Sequence, residues 1–179
     1  MAALLAGTGF STSVLAAPPV SAYAGQEARD IKAVSMEEIS AYLSGKGMGL
    51  AKAAELNGYA GPAHVLELAQ DLALTPAQRA RTEALLATMT AKAVLLGQAL
   101  VDHERKLDRL FVSRTITPAS MTDALDQIGL LQAKLRAAHL EAHLAQVEIL
   151  SAEQNTRYAQ LRGYASVAES AKRGGQHQH

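Results

Sequence analysis

After Pro76 the chain runs to Val112 without another proline and with one glycine, Gly97, so 37 residues are free to form a single helix. At ~1.5 Å per residue such a helix is about 55 Å long, which is too long to be wrapped into a round domain of this size. Leu86, Met89, Ala93, Leu96, Leu100, His103, Leu107 and Leu110 recur at alternating steps of three and four. That spacing draws one apolar seam along the helix and asks for a second long helix against it. The partner follows at once. Ser113 to Ile116 form a short link, Thr117-Pro118 supplies a hydroxyl cap with proline at the first helical position, and a second helical run reaches about Leu150. A link this short permits only an antiparallel return, with paired positions summing to about 230.

The same junction is written twice. Leu74-Thr75-Pro76-Ala77-Gln78 and Leu150-Ser151-Ala152-Glu153-Gln154 each set a hydroxyl three positions before a glutamine, the signature of a capping box. Thr75 and Ser151 should cap, Gln78 and Gln154 should close the boxes, and the two should meet at the open end of the hairpin. Shorter helices flank it. Ser35-Met36-Glu37-Glu38 opens one that fades at Gly45-Lys46-Gly47-Met48-Gly49, a second covers about Leu50 to Leu56, and Gly61-Pro62 launches a third carrying His64 and Glu67. The fold expected is all-α, an elongated antiparallel helical hairpin with short flanking helices.

Aromatic residues make up 4% of the 179 residues and Trp is absent, so the core has to be built from Ala and Leu in closely packed helices. Lys plus Arg and Asp plus Glu both total 17, which gives no bulk attraction to nucleic acid. Residues 1–24 are apolar and end in Ala22-Tyr23-Ala24, the small-x-small form of a signal-peptide cleavage site, though no positive charge opens the segment. The expected organisation is a signal peptide over 1–24, one helical domain over 25–172 and a flexible tail over 173–179. No other stretch is expected to be long and apolar enough to span a bilayer. The absence of cysteine suits an exported protein without disulfides and suits a cytosolic one equally.

On the second long helix, at 100° per residue, Leu131, Leu135, Ala138, Ala142, Ala145 and Ile149 form one apolar stripe and Leu140, Leu144 and Val147 another. Between them runs a polar row of Gln132, Arg136, His139, His143 and Gln146. This row should line a packing surface, a dimer interface or the concave side of a bent hairpin. His139 and His143, at i and i+4, share a helix face and can share a first-row metal if other ligands arrive from a neighbouring helix. The hairpin register keeps His103 away from them, while the third helix brings His64 and Glu67 to the level of His143. The candidate metal set is therefore His64, Glu67, His139 and His143. The alternative is that these histidines are polar packing residues bonded to glutamine or backbone. No enzyme motif is present: there is no cysteine nucleophile, Gly-x-Ser-x-Gly elbow or dinucleotide fingerprint. In His139-Leu140-Glu141-Ala142-His143 the glutamate lies about 200° round the helix from His139.

The doubled Leu-Thr/Ser-x-x-Gln pattern on an all-helical chain with an export-like start resembles the Spy/CpxP family of periplasmic chaperones and stress regulators, and its relatives the CnrX-type heavy-metal sensors. The resemblance covers roughly Ala53 to Tyr164. It implies a cradle-shaped homodimer of bent hairpins in the periplasm that binds partially unfolded polypeptides without ATP, here on the surface bearing Gln132, Arg136, His139, His143 and Gln146. The metal-sensor side of the family implies a His/Glu site for Zn, Ni, Co or Cu, with His143 standing where those sensors place methionine. A third implied role is masking a membrane sensor protein. The strongly basic cradle of the family is not matched by this neutral chain.

Overall fold

A computed structural model describes residues 20–164. The expected tail over 173–179, and the expected signal peptide as far as residue 19, lie outside the described residues. The described residues contain six helices and no strand: α1 (Met36–Leu43), α2 (Lys52–Glu55), α3 (Pro62–Glu67), α4 (Pro76–Val112), α5 (Pro118–Val147) and α6 (Ala152–Leu161).

The long arms α4 and α5 pack antiparallel around Ala93, Leu100, Ile128 and Leu135. Their register is set by Gln146 Nε2 donating to Thr82 Oγ1 at 3.2 Å, both residues fully buried, and by Lys92 Nζ on Glu141 at 2.8 Å. These pairs fall where the expected hairpin pairing puts them. Arg114, at φ +57°, turns the chain after α4, and the Thr117 hydroxyl then caps α5 by accepting from Ser120 N–H. α5 stops at Val147, ahead of the expected Leu150: Asn155 Nδ2 reaches back from α6 to the Val147 carbonyl at 3.2 Å, and four residues, Glu148 to Ser151, link the two helices.

Both boxes of the doubled motif form, and they lock to each other. Thr75 and Ser151 accept from Gln78 and Gln154 N–H, while the two glutamine side chains return the bond to the cap backbone. Gln78 Nε2 donates to Gln154 Oε1 at 2.7 Å and to the Ile149 carbonyl at 3.0 Å. Gln154 Nε2 donates to Gln78 Oε1 at 3.1 Å and to the Leu72 carbonyl at 3.0 Å. Each glutamine thus satisfies its own helix end and a carbonyl of the other junction. Below this pair lies the end core of Ala60, Val65, Leu72, Leu150 and Tyr158. Substituting Gln154 by alanine should cost about 1–2 kcal/mol in urea denaturation, since a cap-closing bond and a part-buried carbonyl lose their partner together. The Gln78→Ala, Gln154→Ala pair should cost less than the two singles added, as residues in one hydrogen-bond network do.

Residues 31–43 cross the middle of α4, burying Ile31, Val34 and Ile39 on Val101. α1 comes so close that a Cβ on Gly97 would overlap the Tyr42 carbonyl. One expectation is corrected. α4 contains a stretch long and apolar enough, by length and composition, to cross a membrane. It passes that test because Ala and Leu also occupy its outer face: only 22% of the stretch is buried.

Candidate functional site

Three short pieces fold over the α6-proximal half of α5 and enclose a cavity of about 650 Å³. The first is the glycine-rich turn from Gly45 to Gly49, where Gly45, Met48 and Gly49 all take positive φ. It is a structural turn, as its sequence implies, and it lies close over α4: a Cβ on Gly45 would sit 3.1 Å from the Thr90 carbonyl. The second is α2, whose last residue, Glu55, is 8% exposed. The third is the turn through Tyr59 and Gly61 into α3, which presents His64.

His64, His139 and His143 all line this cavity. Glu67, the other residue expected there, does not: it is exposed at the end of α3, whose inward face is taken by Pro62 and Val65. The carboxylate in the cavity is Glu55 instead. Glu55 Oε1 accepts from the Tyr158 hydroxyl at 2.5 Å and the Tyr164 hydroxyl at 3.2 Å, with Arg162 Nε and His64 Nδ1 each 3.5 Å away. Its other oxygen, Oε2, has no hydrogen-bond partner and lies 3.7 Å from His143 Nδ1.

His143 Nδ1 is 2.8 Å from the Tyr59 carbonyl, which can only accept, so Nδ1 carries the proton and Nε2 keeps its lone pair in the neutral ring. Gly61 faces that nitrogen. A Cβ at Gly61 would sit 2.9 Å from His143 Nε2 and 3.4 Å from Glu55 Oε2, so the glycine keeps open the space between them. His139 is 4% exposed, and its Nε2 also lacks a partner. Burial, and then the neighbouring His143, lower its pKa, which favours the neutral imidazole, the form that binds metals. As the side chains stand, no three His, Asp or Glu residues among the described residues are arranged to hold a metal ion.

The polar row of α5 is divided. Gln132 and Arg136 are exposed, whereas His139 and Gln146 are buried and His143 is half-buried. Gln146 is turned against Thr82 of α4, while the turn at Gly47 and the segment from Tyr59 to Gly61 lie against His139 and His143, so of the row Gln132 and Arg136 remain exposed. No family model, curated protein or solved structure matches this chain. Its site is therefore read from its own geometry. The residues that sequence reasoning missed are Glu55, Tyr158, Arg162 and Tyr164. The spacing of Tyr158 and Arg162, at i and i+4 on one face of α6, was the available signal for two of them.

Proposed function

We propose that this chain is an exported metal-responsive protein of Spy/CpxP-like type, whose cavity takes one divalent transition-metal ion through His139, His143 and Glu55, with His64 at its mouth. The observation that carries this reading is a pair of orphans: Glu55 Oε2 and His139 Nε2 are both buried and unbonded, and both residues line one cavity. An unsatisfied buried polar atom costs about 1–3 kcal/mol, so a ligand in the cavity that partners these atoms would be favoured. A cation satisfies both, and the gap kept by Gly61 gives it access to His143 Nε2. Imidazole and carboxylate donors without sulfur select Zn, Ni, Co or Cu(II) over soft Cu(I). Binding would require the side chains to close by rotamer changes around the ion. The family resemblance of the doubled Leu-Thr/Ser-x-x-Gln pattern and the export-like start are what suggest a periplasmic location.

The test is calorimetric titration of the metal-free chain with Zn, Ni, Co and Cu. One ion per chain should bind, and binding should be abolished in the His139→Ala, His143→Ala variant, with Glu55→Gln as the partner variant that preserves the hydrogen bond to Tyr158. Absence of stoichiometric binding, or binding that survives both variants, overturns the reading.

A second reading keeps the chaperone role. It rests on the uncovered apolar length of α4, where Leu95 is 74% exposed and Val112 63%. Such a face suits partially unfolded polypeptides, a second copy in a homodimer, or a membrane sensor protein. Suppression of client aggregation that is indifferent to chelator supports it over metal sensing.

A further inference from the structure

The carboxylate of Glu55 faces two ways. Oε1 is occupied entirely from the α6 side and from His64, while Oε2 is turned to His143 without a hydrogen bond. The strongest of these contacts is the Tyr158 hydroxyl, on a side chain that is 1% exposed and set in the end core with Leu72 and Leu150. A carboxylate held at one oxygen by a fixed donor cannot rotate freely, and its second oxygen is thereby aimed. Ligating carboxylates are commonly oriented by such outer bonds, whose removal costs about 10–100-fold in metal affinity.

We infer that Tyr158 is a positioning residue for the cavity: by holding Glu55 Oε1 it aims Oε2 at His143, which links the docking of α6 to cation binding. This rests on the metal-binding reading above. Linkage makes the effect reciprocal: the factor by which docked α6 strengthens cation binding is the factor by which the cation strengthens α6 docking. Arg162 and Tyr164 belong to the same device, because they bring the residues just beyond α6 to the same oxygen. An ion in the cavity would therefore tighten the C-terminal end of the domain, a helix whose start is locked to the Gln78–Gln154 pair. The site then has an output as well as a ligand.

The experiment uses the full chain and Zn as the probe. Calorimetry of Tyr158→Phe, which keeps the ring in the core and removes only the hydroxyl, should show one-site binding about 10–100-fold weaker than wild type. Amide exchange over residues 152–164 should slow when Zn is added to wild type and stay unchanged when the same Zn is added to Tyr158→Phe. Should Tyr158→Phe fail to fold, Tyr164→Phe, at the part-buried second hydroxyl, is expected to weaken Zn by several-fold in the same direction. A purely structural tyrosine gives a different result: lower thermal stability with unchanged Zn affinity below the transition. That outcome, or α6 exchange indifferent to Zn in wild type, overturns this inference while leaving the metal site standing. Failure of wild type to bind Zn, Ni, Co or Cu at all removes the metal site and this inference together.

Discussion

Replacing Glu55 by alanine is expected to destabilise the chain by about 3–5 kcal/mol, the range seen when one partner of a buried charged network is removed. The magnitude follows from what is left behind. The Tyr158 hydroxyl, inside the end core, and the part-buried Tyr164 hydroxyl both lose their acceptor, and Arg162 loses the carboxylate 3.5 Å from its Nε. Each stranded hydroxyl costs about 1–3 kcal/mol. Glu55→Gln is the informative contrast. Its amide oxygen can still accept from Tyr158, so stability should stay within about 1 kcal/mol of wild type, while the amide nitrogen facing the cavity cannot ligate a cation. Urea denaturation followed by far-UV circular dichroism measures both. A cost below about 1 kcal/mol for alanine would mean that Glu55 does not hold α6.

The parts of this fold that could be read from the sequence are those set by local rules. Proline and glycine placement bounded α4, the hydroxyl-to-glutamine spacing named two helix starts, and a link too short to wander fixed the hairpin's direction. With the third helix folded back on the start of α4, His64 falls at the level of His143, and both line the cavity. The carboxylate could not be found the same way. α2 has four residues and α3 six, too few for an apolar period to show which face turns inward. Glu67 looked suitable because it shares the third helix with His64, yet Pro62 and Val65 take the inward face of α3 and Glu67 is left exposed. Glu55 is buried because Tyr158 and Tyr164, more than 100 residues away, satisfy it, and no local pattern records such a contact. The polar row of α5 follows from helical spacing, but that α4 and two loop segments cover three of its five residues is a tertiary fact.

The two helical arms carry glycines that predict opposite responses to one substitution. In a helix interior Gly→Ala gains about 1 kcal/mol from backbone propensity alone. At Gly129 on α5 nothing lies within 4 Å of the added Cβ, so that gain should appear undiminished. At Gly97 on α4 the Cβ meets the Tyr42 carbonyl, a backbone atom that no rotamer change can move aside. Overpacking of this kind costs about 1–3 kcal/mol, so Gly97→Ala should come out net destabilising. Gly97→Leu forces the larger response, lifting α1 from α4 and exposing Ile39 and Val101, which are now buried. Its cost should exceed that of alanine by a further ~2 kcal/mol or more, since burying a side chain of this class is worth about 1.5–3 kcal/mol. Urea midpoints for Gly97→Ala, Gly97→Leu and Gly129→Ala check the ordering, and a stabilised Gly97→Ala would show that α1 does not sit as closely as described. The consequence reaches the cavity. The turn from Gly45 to Gly49 leaves α1 directly and lines the cavity, so an α1 that has lifted carries one wall of the site away with it.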